Sequence, residues 1–143
     1  MAPSTQAGAC LVMGDSIALG TAQHAPQCLA LAKVGIGSSG WLQRYGHYLA
    51  QMPVLDTVVI SLGANDSDAL RTERHLLEVR RLISAQKVIW IVPSDSSPVK
   101  STVDMVVKKF GDQWVTRPEK FKTPDGIHMT AAGYKVMARL VLD

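Results

Sequence analysis

The stretch LVMGDSIALG, residues 11–20, passes from an apolar, strand-like segment through a small polar turn into a second apolar run. The turn consists of Gly14, Asp15 and Ser16. A serine in such a position often does no more than cap a helix with its side-chain oxygen. Whether Ser16 also has a chemical role depends on what the rest of the chain brings near it.

Short apolar runs recur along the chain and predict five buried strands. The runs cover residues 9–13, 29–34, 56–62, 87–92 and a shorter segment at 113–116. Segments with helical spacing lie between them, and strands that alternate with helices in this way form a parallel sheet covered on both faces. The predicted fold class is therefore α/β, with three layers.

Several of the intervening segments place their apolar residues on one helical face. These positions are Leu42, Tyr45, Leu49 and Met52; Leu76, Val79 and Ile83; Val99, Val103, Val106 and Phe110; and Tyr134, Met137, Ala138 and Val141. The third of these helices has Ser97 as its expected N-cap, Pro98 in its first turn and Gly111 just past its end. Thr130 is expected to cap the last helix.

Length and composition indicate one domain, residues 1–143, that is long enough to bury a core. Hydrophobic residues make up 47% of the chain, and no apolar run approaches the roughly 20 residues that span a bilayer. The net charge of +3 is mild, and the basic residues are scattered without interleaved aromatic side chains. The sequence therefore predicts no membrane span and no nucleic-acid partner, and it leaves the oligomeric state open.

The two cysteines, Cys10 and Cys28, each lie in an apolar run, and no Cys-x-x-Cys or Cys/His spacing indicates a metal or redox site. They are expected to be buried free thiols.

Residues 1–10 lack the basic start and apolar core of a secretory signal. The default expectation is a cytoplasmic protein, with a secreted or virion-associated one left open.

Ligands of parallel α/β sheets bind beyond the carboxyl ends of the strands, so the loops that follow the strands are the candidate site. The second strand leads into VGIGSSGW, the third into SLGANDS and the fifth into TPDGIHMTAAGY. In the last loop, His128 follows Asp125 by three residues, a spacing that lets the carboxylate reach the imidazole Nδ1 hydrogen. Such a histidine could take the proton of Ser16, whose hydroxyl is a poor nucleophile without a base.

Each of these residues also has a plain structural interpretation. Asp125 and Gly126 are typical of a turn, in which case His128 is incidental. Asn65, at the end of the third strand, could donate a hydrogen bond to a developing oxyanion. It could equally form a turn before the next helix, together with residues 66–68 as helix caps.

The motifs MGDS, a glycine loop after the second strand, GAND and DGIH occur together and in this order. In this combination the sequence resembles the SGNH hydrolases, also called the GDSL esterase/lipase family, over nearly the whole chain. The resemblance implies a flavodoxin-like sheet of order 2-1-3-4-5. It also implies that Ser16 is the nucleophile, His128 its base and Asp125 the residue that orients the base, with no metal or cofactor.

The resemblance further implies an oxyanion hole formed by the Ser16 backbone N–H, the Asn65 side chain and the N–H of a glycine. The family pattern at the glycine loop is NxGxSG, and residues 35–40, GIGSSG, fit it with Gly35 in place of asparagine. Gly40 is then the expected donor, and Gly37 is the second choice.

Short loops between GAND and DGIH leave little backbone for a deep apolar tunnel or a lid. The expected substrate is therefore a short-chain acyl ester of a small alcohol or a glycan, as for a carbohydrate deacetylase. Trp41 and Met129 are the candidate walls of a shallow cleft, although Trp41 is equally suited to the core. An O-acyltransferase could use the same site, and a ligand-binding module could keep the fold without chemistry.

Overall fold

The computed structural model describes residues 9–143, in which five parallel strands form one sheet. The strands are β1 (Cys10–Gly14), β2 (Leu29–Ala32), β3 (Leu55–Ser61), β4 (Ala85–Ile91) and β5 (Gln113–Val115). Their order in the sheet is β2-β1-β3-β4-β5, and every neighbouring pair is parallel. The predicted fold class and strand order are confirmed.

Five α-helices cover the two faces of this sheet. They are α1 (Ser16–Ala22), α2 (Ser38–Ala50), α3 (Ala69–Arg81), α4 (Lys100–Phe110) and α5 (Ala131–Leu142). Helices α2, α3 and α4 bury their apolar faces in one core cluster with Trp90 and Ile60 of the sheet. Helices α1 and α5 pack on the opposite face around Val12 and Val59. The central strands β1, β3 and β4 are therefore buried on both sides over most of their length, which is why they have continuous apolar runs.

The strands β1 and β3 end side by side, with Gly14 paired to Ser61. A Cβ atom on Gly14 would lie 1.8 Å from the Ser61 carbonyl oxygen, and Gly14 has a φ of +135°. A side chain is excluded here by space and by backbone conformation. Glycine is thus required for the chain to leave β1 across the end of β3 and enter the turn before α1.

The helix ends agree with the sequence at two positions and differ at a third. Gly111 ends α4 in the left-handed conformation with a φ of +67°, and the Thr130 side chain accepts a hydrogen bond from the Gly133 N–H at the start of α5. The prediction that Ser97 caps α4 is wrong, because Val99 is the N-cap residue and the helix starts at Lys100. Ser97 instead belongs to the preceding turn, where its N–H donates to the Ser94 carbonyl.

The prediction of free thiols is also wrong, because Cys10 and Cys28 form a disulfide. The reason lies in the strand register. Leu11 of β1 pairs with Leu29 of β2, so the residues that precede them are brought opposite each other. Cysteine spacing along the chain gives no sign of this pairing. The disulfide ties the edge strand β2, which leads into the glycine loop, to β1, which leads to Ser16.

Residues 1–8, which contain most of the segment searched for a signal sequence, lie outside the described residues. Within residues 9–143, no helix is long and apolar enough to cross a membrane.

Replacing both cysteines, as Cys10→Ser with Cys28→Ser, should lower the free energy of unfolding by about 3 kcal/mol, because the bond closes a loop whose ends are 18 residues apart. Urea denaturation monitored by circular dichroism measures the change. Reductant should destabilise the wild-type protein by a similar amount and leave the double variant unaffected. A wild-type midpoint that does not respond to reductant would contradict the disulfide.

Candidate active site

The hydroxyl of Ser16, the first residue of α1, lies at hydrogen-bond distance from His128 in the loop before α5. Ser16 Oγ is 2.9 Å from His128 Nε2, and His128 Nδ1 is 2.6 Å from Asp125 Oδ2. The three side chains form a continuous hydrogen-bonded chain between residues 112 positions apart in the sequence. This is the arrangement in which a carboxylate fixes the imidazole so that Nε2 faces a serine hydroxyl.

The carboxylate of Asp125 is held by its own loop. Its Oδ1 atom accepts hydrogen bonds from the backbone N–H groups of Ile127 (2.8 Å) and His128 (2.9 Å) and from the Thr123 hydroxyl (2.7 Å). The hydrogen bond to the His128 side chain, followed by these three, holds the pKa of Asp125 well below its usual range. The carboxylate therefore stays ionised and its Oδ2 atom remains directed at the imidazole.

The turn that carries Ser16 is built around the buried side chain of Asp15. Asp15 is the N-cap of α1, and its Oδ1 atom accepts from the Ile17 N–H at 3.0 Å and from the Ser61 hydroxyl at 2.9 Å. The Asp15 N–H donates to the Ser61 carbonyl at 2.9 Å. Ser16 is thus not the capping residue, and its hydroxyl is free to face His128.

The second carboxylate oxygen of Asp15 has no hydrogen-bond partner among the described residues, although it is buried. Burial raises the pKa of Asp15 to about 6. The hydrogen bonds from Ser61 and the α1 backbone, together with the positive charge of Arg117, limit the increase. A buried carboxyl group that titrates near neutral pH therefore lies directly beneath the turn of Ser16.

The loops after β2 and β3 meet beside this turn. The Asn65 side-chain amide donates to the Ile36 carbonyl at 3.1 Å, and the Asn65 side chain is exposed. A Cβ atom on Gly37 would lie 3.5 Å from the Asn65 carbonyl oxygen, whereas one on Gly40 would approach only the Ile36 side chain. Gly37, the N-cap of α2, therefore adjoins Asn65, and Gly40 lies inside the first turn of the helix.

The residue after Asn65 joins these two loops. Asp66 accepts from the Ser38 N–H at 2.9 Å, from the Ser38 hydroxyl and from the Thr72 hydroxyl at 2.9 Å. The expectation for residues 66–68 was a helix cap, and that role belongs to Asp68, whose side chain accepts from the Arg71 N–H. Nothing in the sequence predicts that Asp66 accepts hydrogen bonds from Ser38, because the two residues are 28 positions apart.

The two candidate cleft walls are both buried, which corrects the expectation that they contact substrate. Trp41 is fully buried in the core, and its indole N–H donates to the Leu31 carbonyl at 2.8 Å. Met129 is 4% exposed and packs in the apolar cluster beneath α5. Each of them follows a motif in the sequence. Trp41 lies on the buried face of α2, and Met129, which forms a β-bridge with Lys122, also points into the protein.

Sequence reasoning missed Arg117, which follows β5 and is only 5% exposed. Its guanidinium donates a hydrogen bond from Nη1 to the Ile127 carbonyl, in the loop of His128. It also interacts by charge with Asp15, Asp125, Glu119 and Tyr134. The motif RPEKF resembles a solvated basic segment, and nothing in it indicates that the arginine turns inward.

The site as a whole is open to solvent. The His128 and Asp125 side chains are 44% and 46% exposed. An open groove of about 550 Å³ runs along the glycine loop, lined by residues that include Lys33, Gly37 and Arg44. Within residues 9–143, no cluster of His, Cys, Asp or Glu side chains could hold a metal ion.

The raised pKa of Asp15 predicts a specific dependence of stability on pH. Because the folded protein binds this proton more tightly than the unfolded chain, its contribution is complete below about pH 4 and is lost as pH rises through about 6. Asp15→Asn, which keeps the accepting oxygen, should remove roughly 3 kcal/mol of this decline, measured as unfolding free energy between pH 4 and 8. Asp104→Asn, on an exposed helix face, serves as the control. If the unfolding free energy of Asp15→Asn declined with pH as much as that of the wild type, Asp15 would be excluded as the source of the decline.

No family model matches this chain, and no curated protein matches its sequence. Solved structures do match it. A GDSL-like lipase from Bacteroides thetaiotaomicron shares 19% identity and a TM-score of 0.73 over 99% of this chain and 89% of that one. A member of the lipolytic protein G-D-S-L family from Veillonella parvula shares 13% identity and a TM-score of 0.65 over 95% of both chains.

The C-terminal catalytic domain of peptidoglycan O-acetyltransferase A from Streptococcus pneumoniae shares 17% identity and a TM-score of 0.63, over 97% of this chain and 90% of that one. At such identities, structural likeness establishes the fold. The sheet order and the order of the motifs agree with it. The chain therefore has the fold of the SGNH hydrolases, the GDSL lipases and acylhydrolases that its motifs resemble.

Proposed function

We propose that this protein is a serine esterase that cleaves short-chain acyl esters through an acyl-enzyme intermediate. The observation that carries the proposal is the hydrogen-bonded chain from Ser16 Oγ through His128 to Asp125. A neutral imidazole that accepts at Nε2 and donates from Nδ1 to a carboxylate can activate a serine hydroxyl. A binding module has no need of such an oriented base.

In the first step, Ser16 Oγ attacks the ester carbonyl carbon while its proton passes to His128 Nε2. The carbonyl π electrons move to the oxygen, which becomes an oxyanion. When the intermediate collapses, the bond to the alcohol oxygen breaks and His128 returns the proton to that oxygen. Ser16 is left acylated, and Asp125 stabilises the imidazolium that forms during each transfer.

The oxyanion would be stabilised by the Ser16 backbone N–H, the Asn65 amide and a glycine N–H. We assign the glycine to Gly37, because it adjoins Asn65, in preference to Gly40. The Asn65 amide has a second hydrogen besides the one directed at the Ile36 carbonyl. That hydrogen is available to the oxyanion, while the hydrogen bond to Ile36 fixes the plane of the amide.

In the second step, water gives a proton to His128 and attacks the acyl carbon. When this intermediate collapses, the bond to Ser16 Oγ breaks, His128 returns the proton to Oγ, and the acid is released. An alcohol in place of water would give a new ester, and the likeness to an O-acetyltransferase domain favours this as the second candidate function. The open setting of His128 supports both outcomes, since either acceptor can reach the imidazole directly.

The exposure of His128 and Asp125 also bears on the substrate. A long acyl chain requires an apolar tunnel or groove to bury it. Here Trp41 and Met129, the candidate walls that the sequence offered, are buried in the protein and cannot supply one. We therefore propose small acyl groups, carried by a small or glycan alcohol.

The disulfide between Cys10 and Cys28 supports a location outside the reducing cytoplasm. Disulfides persist mainly in oxidising compartments. Of the locations that the sequence leaves open, we propose a secreted or virion-associated one in place of the cytoplasm.

Ser16→Ala and His128→Ala should each reduce turnover of p-nitrophenyl acetate roughly ten-thousandfold or more, with little further loss in the double variant, because the two residues act in one step. A fluorophosphonate probe should label the wild-type protein and neither variant. Ser67→Ala, an exposed serine outside the hydrogen-bonded chain, should be labelled and active like the wild type.

Two results would contradict the proposal. Wild-type protein that resists the probe under conditions that label a known serine esterase would exclude a reactive Ser16. Losses that multiply in the double variant would show that Ser16 and His128 do not share a step.

Across p-nitrophenyl esters from acetate to palmitate, kcat/KM should be highest for the shortest acyl groups, because Trp41 and Met129 are buried and cannot line a tunnel for longer ones. An added alcohol acceptor that forms a new ester faster than water forms the acid would identify an acyltransferase instead. A maximum of kcat/KM at long acyl chains would refute the short-chain assignment.

A further inference from the structure

We propose that Arg117 is a positioning residue, whose buried guanidinium holds the loop of His128 against the turn of Ser16 and supplies the counter-charge for Asp15. This inference rests on the proposed function. Arg117 follows β5, whereas Asp15 follows β1, at the far side of β3 and β4 in the sheet. One side chain therefore links the two loops that must meet for the hydrogen bond between Ser16 and His128.

The contact with the histidine loop is made at the peptide group that joins Ile127 to His128. Arg117 Nη1 donates to the carbonyl oxygen of this group, and Asp125 Oδ1 accepts from its N–H at 2.9 Å. The next carbonyl, that of His128, accepts from the Thr123 N–H at 2.9 Å. The backbone is thus held on both sides of the histidine, and the hydrogen bond from Arg117 reaches it from the body of the protein beneath the loop.

The contact with the nucleophile turn is electrostatic. Asp15 is 1% exposed, and its Oδ2 atom has no hydrogen-bond partner among residues 9–143. Arg117 is the positive charge that acts on it, and Tyr134 of α5 is the other titratable group that interacts with it. A buried carboxylate is costly unless a cation compensates for it. Without Arg117, the turn would have to protonate Asp15 or open to water.

The pKa of Arg117 depends on the acidic groups that surround it. Burial lowers the pKa of Arg117, and Asp15 is the first of the acidic groups that raise it, followed by Tyr134, Glu119 and Asp125. These groups come from the α1 turn, α5, the turn after β5 and the histidine loop. The guanidinium therefore interacts with charges of both the nucleophile turn and the histidine loop.

The test compares Arg117→Met with Arg80→Met, because Arg80 is also a partly buried arginine with a structural partner. Arg80 pairs with both oxygens of Asp112, at 2.7 and 2.9 Å, near the amino end of β5 and away from Ser16. Both variants should unfold at lower temperature than the wild type. Assayed with p-nitrophenyl acetate well below both melting temperatures, Arg117→Met should lose roughly a hundredfold in kcat with KM little changed, as expected for a displaced catalytic group. Arg80→Met should keep the wild-type kcat.

Two further variants separate the contributions. Arg117→Lys keeps a charge and a donor but loses the planar fork, so it should recover part of the kcat. In an Asp15→Asn background, Arg117→Met should cost less stability at pH 8 than in the wild type, because no buried charge is left to compensate. Additive losses of stability in the double variant would overturn the counter-charge role.

A kcat within twofold of wild type in Arg117→Met, or an equal loss in Arg80→Met, would overturn the positioning role. If Arg117→Met does not fold, Arg117→Gln, whose side chain is neutral and shorter, decides, and a wild-type kcat there would overturn the proposal. Failure of the wild-type protein to react with p-nitrophenyl acetate or a fluorophosphonate would instead refute the proposed function. The two failures are therefore distinguishable.

Discussion

The close approach of Gly14 to the Ser61 carbonyl is the constraint on which the rest of the site depends. Because no side chain fits between β1 and β3 at this point, the chain can turn directly over the end of β3. Asp15 then reaches back to Ser61 and the α1 backbone, which leaves Ser16 as the first residue of the helix. A bulkier residue at position 14 would move Ser16 before it affected any other part of the site.

Much of the fold could be predicted because buried strands and amphipathic helices leave periodic apolar patterns. The ends of the elements were less predictable, since hydrogen bonding rather than side-chain polarity decides them. The apolar run predicts one strand over residues 29–34, but pairing stops at Ala32, and Val34 is 64% exposed. Strand β4 starts at Ala85, before its apolar run, because its backbone pairs there with Leu55.

The residues of the candidate site likewise divide into those that the sequence predicts and those that it does not. Ser16 and Asn65 stand in short motifs at strand ends, which the topology brings together, and Asp125 and His128 stand in a short motif just before α5. Arg117 could not be found from the sequence, because its function depends on a buried location beneath a loop that lies ten residues further along the chain. The cysteines were misassigned for a related reason, since strand register and not spacing places them opposite each other.

The two carboxylates on either side of Ser16 lie in very different surroundings. Asp125 is 46% exposed and its partner His128 44%, whereas Asp15 and Arg117 are 1% and 5% exposed. Dissolved ions screen charges that face water and have little effect on charges inside a protein. Ionic strength should therefore act mainly on one side of the site: in the proposed mechanism it weakens the attraction between the His128 imidazolium and Asp125, while the interaction between Asp15 and Arg117 beneath Ser16 changes little.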